Sequence, residues 1–236
     1  MVSERLGYAL AALVAVLALA FGFAAGQWVV AAIVLGVALA LALGVFVESG
    51  PDSAKEVALI ATLTGIAVAG RLLVHPFPGV QPMTVIVIAA GAAFGLRIGV
   101  SVGALGALVS NFFLIQGPWT PWQMALWAAC GAVGALTVRL ARRRLVFALL
   151  CGVLAFGFSP AMEVAYWWYA YAHTWAGLTF QVTTGFAFTL AHALGSFAIA
   201  LAVGPELVRM LERFGRRLHT EIVWDETLGP EEPVGT

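Results

Sequence analysis

The sequence predicts an all-α integral membrane protein: a six-helix bundle preceded by an N-terminal helical hairpin, about eight spans in all. Hydrophobic residues make up 62% of the 236 and charged residues 10%, against an apolar share of roughly 45–50% in soluble domains. Apolar runs near the roughly 17–25 residues that cross a bilayer recur along the whole chain, and cations collect in alternate connections between them.

The first two runs, 6–25 and 27–48, hold almost no polar side chain and turn at Gln27 and Trp28; residues 1–50 read as an accessory hairpin. Arg5 before the first run and Ala24-Ala25 at its end as a cleavage site also fit a signal peptide, but the run exceeds the roughly 7–15 residues of a signal core. Glu48-Ser-Gly-Pro-Asp-Ser-Ala-Lys-Glu56 interrupts the apolar pattern and opens the core, 51–214, with Asp52 or Ser53 available as a helix cap. On the third run, 55–74, Ala61, Gly65 and Ala69 fall four residues apart, and Ala58 and Thr62 share an overlapping stripe. Small residues at that spacing let another helix approach closely, either inside the bundle or from a separate subunit. The remaining runs are 82–96, which is short, then 98–115, 121–138, 145–163 and 181–205. Cys130 and Cys151 lie inside spans without CxxC or Cys/His spacing and read as packing residues. Residues 215–236, with Glu221, Asp225, Glu226, Glu231 and Glu232, read as a polar tail.

Eight spans with both termini in the cytoplasm place eleven of the twelve cations inside, leaving only Arg71 outside. That asymmetry is a strong orientation signal and points to a multi-pass protein of the cytoplasmic membrane.

The opposite, outer face carries the chemistry. Gln81, Asn111, Gln116, Trp119, Trp122, Gln123, Trp127, Glu163, Trp167 and Trp168 gather there with His75, Tyr166, Tyr169, Tyr171, His173, Trp175 and Gln181, and six of the eight tryptophans are among them. An interfacial aromatic belt would occupy both faces, and the inner face offers little beyond Tyr8 and Trp224. Stacking walls with a few placed polar groups are what a small-molecule site requires. Arg71 and Glu163 are the only formal charges there, which disfavours polyphosphorylated solutes. Arg71 can also snorkel to headgroups, and Glu163, beside Pro160, can pin a helix. His192, about eleven residues or roughly 16 Å into the last run, is the deepest ionisable group; an intramembrane histidine is a functional candidate, while Ala191, Ala193 and Gly195 around it also suit a tight helix contact.

No GxxxxGK[ST] precedes the single lysine, Lys55, and HExxH and GxSxG are absent. ATP hydrolysis by the P-loop route is excluded for this chain, so energy for uphill transport must come from a partner or a coupled ion. Glu163, His173 and His192 are too scattered in depth for a membrane enzyme. A proton-coupled carrier would make His192 essential and need no ATPase. Nothing in the sequence points to nucleic acid, a metal or a covalent cofactor.

Residues 51–214 resemble the substrate-binding S component of energy-coupling factor (ECF) vitamin transporters. The resemblance rests on Ser110-Asn-Phe-Phe-Leu-Ile-Gln-Gly-Pro-Trp-Thr-Pro-Trp-Gln-Met124, on Gly79-Val-Gln-Pro-Met83, on Arg97 after a short second core helix, and on the helix opening Lys55-Glu-Val-Ala-Leu-Ile-Ala61. It implies capture of a vitamin at the outer face and docking of the first core helix on a membrane scaffold, the T component, served by a pair of ABC-type ATPases. The docking pattern would fall on Ala58/Thr62 or Ala61/Gly65. The Gly-Pro-Trp-x-Pro-Trp-Gln-Met element is similar to S components for cobalamin or its precursors, although a wide, nearly neutral aromatic cup equally suits riboflavin-like or modified-base solutes.

Overall fold

In the computed structural model, residues 53–170 and 173–218 are described, together with Leu17, Val30, Val34, Val37, Ala38 and Leu41. The predicted hairpin spans, Tyr171 and the segment 219–236 lie outside the described residues. The described chain is all-helical: α1 Ser53–Leu73, α2 Pro82–Phe94, α3 Leu96–Leu114, α4 Thr120–Leu136, the one-turn α5 Val138–Ala141, α6 Arg144–Ala170 and α7 Trp175–Leu218.

Four segments, Lys55–Leu73, Leu96–Leu114, Arg144–Trp168 and Trp175–Arg216, are long and apolar enough to cross a membrane. α2, with 13 residues, is about 20 Å long and shorter than the roughly 30 Å hydrocarbon core. Its position explains its composition. It packs against α1, α3, α4 and α7, and Met83 to Val85 and Val87 to Ala92 are all buried, so no face is left for water-facing residues.

Glycines set the spacing between α2, α3 and α4. A Cβ at Gly91 would strike the Gly131 carbonyl, one at Gly99 would come within 2.7 Å of that same oxygen, and one at Gly134 would strike the Ile88 carbonyl. These helices touch backbone to backbone, as small residues permit. Gly95 separates α2 from α3 at φ 89, ψ −176, a conformation essentially restricted to glycine.

α6 and α7 pair along their length. The last helix exceeds the predicted run 181–205: it starts at Trp175 and continues through Pro205 to Leu218, into the predicted tail. Pro205 cannot donate to the Leu201 carbonyl; Arg144 does so instead at 2.8 Å, and also reaches the Ala202 carbonyl at 2.9 Å. Arg144 and Arg209 both pair with Glu206, Arg142 lies 3.8 Å from Glu212, and Arg97 pairs with Glu56 at 2.7 Å. These contacts gather the cationic connections at one end of the bundle. The segments 74–81 and 115–119, with His173 and Thr174, lie at the other.

Candidate functional site

A cavity of about 760 Å³ opens among α1, α3, α4, α6 and α7 at the cation-poor end. Two loops shape its rim. The segment after α1 turns through hydrogen bonds from His75 N to Leu72 O, from Phe77 N to Val74 O and from Val80 N to Phe77 O. It is pressed onto α7 at Gly79, which has φ +85; a Cβ there would come within 2.6 Å of Ala191 Cβ. The second loop leaves α3 at Ile115 with φ 98, a strained choice for a β-branched residue, costing of order 1–3 kcal/mol. Such strain persists where surrounding structure over-determines it, and Ile115 itself lines the cavity.

Beneath that loop runs a polar chain, buried at Arg71, Ser110, Asn111 and Thr120 and exposed at Gln116. Arg71 Nη1 donates to Ser110 Oγ and, at 2.9 Å, to Asn111 Oδ1. Asn111 Nδ2 donates to Thr120 Oγ1 at 2.9 Å and to Gln123 Oε1 at 2.8 Å. Thr120 Oγ1 in turn donates to Gln116 Oε1, and Gln116 Nε2 donates to the Leu108 carbonyl, each at 2.9 Å. Asn111 is thus the joint between the arginine and the aromatic loop.

A second cluster lies deeper. His192 is fully buried, with Nε2 hydrogen-bonded to Thr84 Oγ1 at 2.9 Å and Nδ1 to Ser159 Oγ at 3.2 Å. Trp127 Nε1 donates to the same Thr84 Oγ1 at 3.1 Å. Phe158 packs its ring 4.6 Å from that of Trp127 and 5.3 Å, edge-on, from that of His192. A neutral imidazole has one donor and one acceptor nitrogen, and two hydroxyls satisfy both. On the facing wall Glu163 accepts from Gln181 Nε2, and no described cation pairs with it. Among the described residues, no three His, Cys, Asp or Glu side chains converge as a metal set would.

A family model matches residues 51–212. The chain belongs to DUF6580, a family of unknown function. No curated protein and no solved structure matches it. The DUF6580 region contains every residue that lines the cavity.

Within that DUF6580 region, the structure brings Arg71, Gln81, Asn111, Trp119, Gln123, Trp127, Glu163 and His192 to one cavity. Four other residues expected at the site are not among its lining. Gln116 holds the loop through its two hydrogen bonds. Trp122, half-buried, does not line the cavity. Trp167 and Trp168 form a separate aromatic group with His173, with ring centroids 5.2–6.0 Å apart. Six lining residues went unread in the sequence: Phe77, Pro78, Phe158, Ser159, Met162 and Phe188. Ser159, set before Pro160 in an otherwise apolar run, is the one that carried a usable signal. On α1, Ala58, Ala61, Thr62 and Gly65 all face outward from the described bundle, and a Cβ at Gly65 would meet nothing within 4 Å.

Proposed function

We propose that this protein is the substrate-capturing membrane subunit of an ECF-type vitamin uptake transporter, working with a membrane scaffold and a pair of ATPases. The observation that carries the reading is the cavity: about 760 Å³, walled by Trp119, Trp127, Phe158 and Phe188, with amides at Gln81, Asn111 and Gln123. That volume lies within the roughly 300–1,000 Å³ typical of small-molecule sites. With the cationic end taken as cytoplasmic, the cavity faces outward in the cell membrane, where a scavenged solute arrives. The outward small-residue stripe on α1 supplies a face for the scaffold.

For the solute itself, the volume favours a vitamin or modified base of ordinary drug size. A complete corrinoid would leave its nucleotide arm outside, whereas a smaller precursor fits better. A proton-coupled carrier is the weaker reading, because both His192 ring nitrogens already have hydroxyl partners.

Proteoliposomes holding the chain alone should bind the solute extracted from the purified protein but not concentrate it; adding the scaffold and ATPases should permit accumulation. Sustained accumulation without ATPases would overturn the proposal in favour of a secondary carrier. Ala61→Leu or Gly65→Leu should abolish copurification of the scaffold while leaving solute affinity unchanged. Loss of affinity with the complex intact would mean that the stripe serves the bundle itself.

A further inference from the structure

Arg71 is a buried cation whose protein partners are all neutral. Its residue is 7% exposed, and Nη1 serves Ser110 and Asn111. One side of the guanidinium is covered by Trp127, whose ring centroid lies 4.7 Å from Cζ. Nε has no hydrogen-bond partner, and no described carboxylate forms an ion pair with Arg71. Glu163 lines the same cavity and bonds to Gln181 instead. A buried charge left without a counter-ion is strongly disfavoured, so the cavity is incomplete as it stands.

We propose that Arg71 docks a carboxylate carried by the captured solute, which makes that solute a monoanion with a flat apolar body. This rests on the capture reading and names its substrate class. Arg71 lines the cavity, and Nε with Nη2 is the side of a guanidinium that grips a carboxylate through two parallel hydrogen bonds once the buried Nε turns toward the solute. A phosphate monoester would bring a second negative charge into a cavity that already holds Glu163, so a single carboxylate is the better match. Gln81 Oε1, likewise buried without a partner and on the cavity wall, takes a hydrogen-bond donor from the same solute. The aromatic walls cover the body between these points.

The test uses the purified full chain in an uncharged detergent, with acetate as the probe, because any cavity built for a carboxylate admits the smallest ones. Thermal unfolding is followed with sodium acetate, with sodium chloride at equal ionic strength, and with acetamide. Acetate should raise the melting temperature above chloride, and acetamide should not. Arg71→Met should remove the acetate effect. Arg71→Lys, which keeps the charge but loses the planar edge, should weaken acetate binding roughly tenfold or more and serves if Arg71→Met does not fold. No acetate effect in the wild type, or one that survives in either variant unchanged, would overturn the proposal. So would stabilisation by phosphatidylglycerol added to the same micelles but not by acetate, since the dock would then hold a lipid headgroup. Failure here leaves capture of a neutral solute standing, because the proteoliposome assay reads that independently.

Discussion

Gly131→Ala is expected to be among the most destabilising single-methyl changes in the protein. The new Cβ would strike the Gly99 carbonyl, and it would meet rigid helix backbone rather than the end of a flexible side chain. Overpacking ordinarily costs about 1–3 kcal/mol. Here α3 and α4 must move apart, which also disturbs Gly103, whose space is bounded by the Trp127 backbone, so the cost should reach or exceed the top of that range. Gly157→Ala is the control, because a Cβ there meets nothing within 4 Å; it should be neutral or stabilising by up to about 1 kcal/mol. Unfolding of both variants in detergent checks this. Equal stability would mean that the three central helices are not in backbone contact.

Trp127→Ala should be at least as damaging, for a different reason. The side chain is 1% exposed, donates to Thr84, packs on Phe158 and covers Arg71. Truncating a buried tryptophan costs about 3–5 kcal/mol, and here it also uncovers a cation already lacking a counter-ion. Trp127→Phe keeps most of the bulk and removes the donor, so about 0.5–1.5 kcal/mol is expected from the lost hydrogen bond. The variants should therefore differ by several degrees in melting temperature. If they unfold together, the indole N–H rather than the ring holds the site, and the stacking description is wrong.

The helices were legible because apolar runs are long and the breaks carry glycine, proline and charge, 48–56 being the clearest, whereas the break at Gly95 fell inside the predicted run 82–96. What the sequence obscured was direction. Successive helical residues are turned by about 100°, so the Tyr-Trp-Trp-Tyr run beginning at Tyr166 cannot face one cavity. Tyr166 lines it, while Trp167 and Trp168 stack elsewhere. The same geometry groups Trp119, Gln123 and Trp127 at four-residue intervals, and Trp122 does not line the cavity. Phe158, Met162 and Phe188 were hidden because an apolar residue on an apolar helix gives no sign of whether it meets a neighbour or a cavity. Arg71 was visible as a lone outer cation, but its burial follows from α1 packing against α3, which no local pattern records.

The most direct measurement of solute capture is native mass spectrometry of the protein purified from its own membranes, wild type beside Trp119→Ala and Trp122→Ala. Trp119 lines the cavity and Trp122 does not, and loss of a stacking wall should cost about 1–3 kcal/mol of binding, roughly five- to 150-fold in affinity. The expected result is one small-molecule adduct on the wild type, retained by Trp122→Ala and depleted in Trp119→Ala. Lipid adducts alone, or equal occupancy in all three proteins, would contradict a solute-capturing cavity.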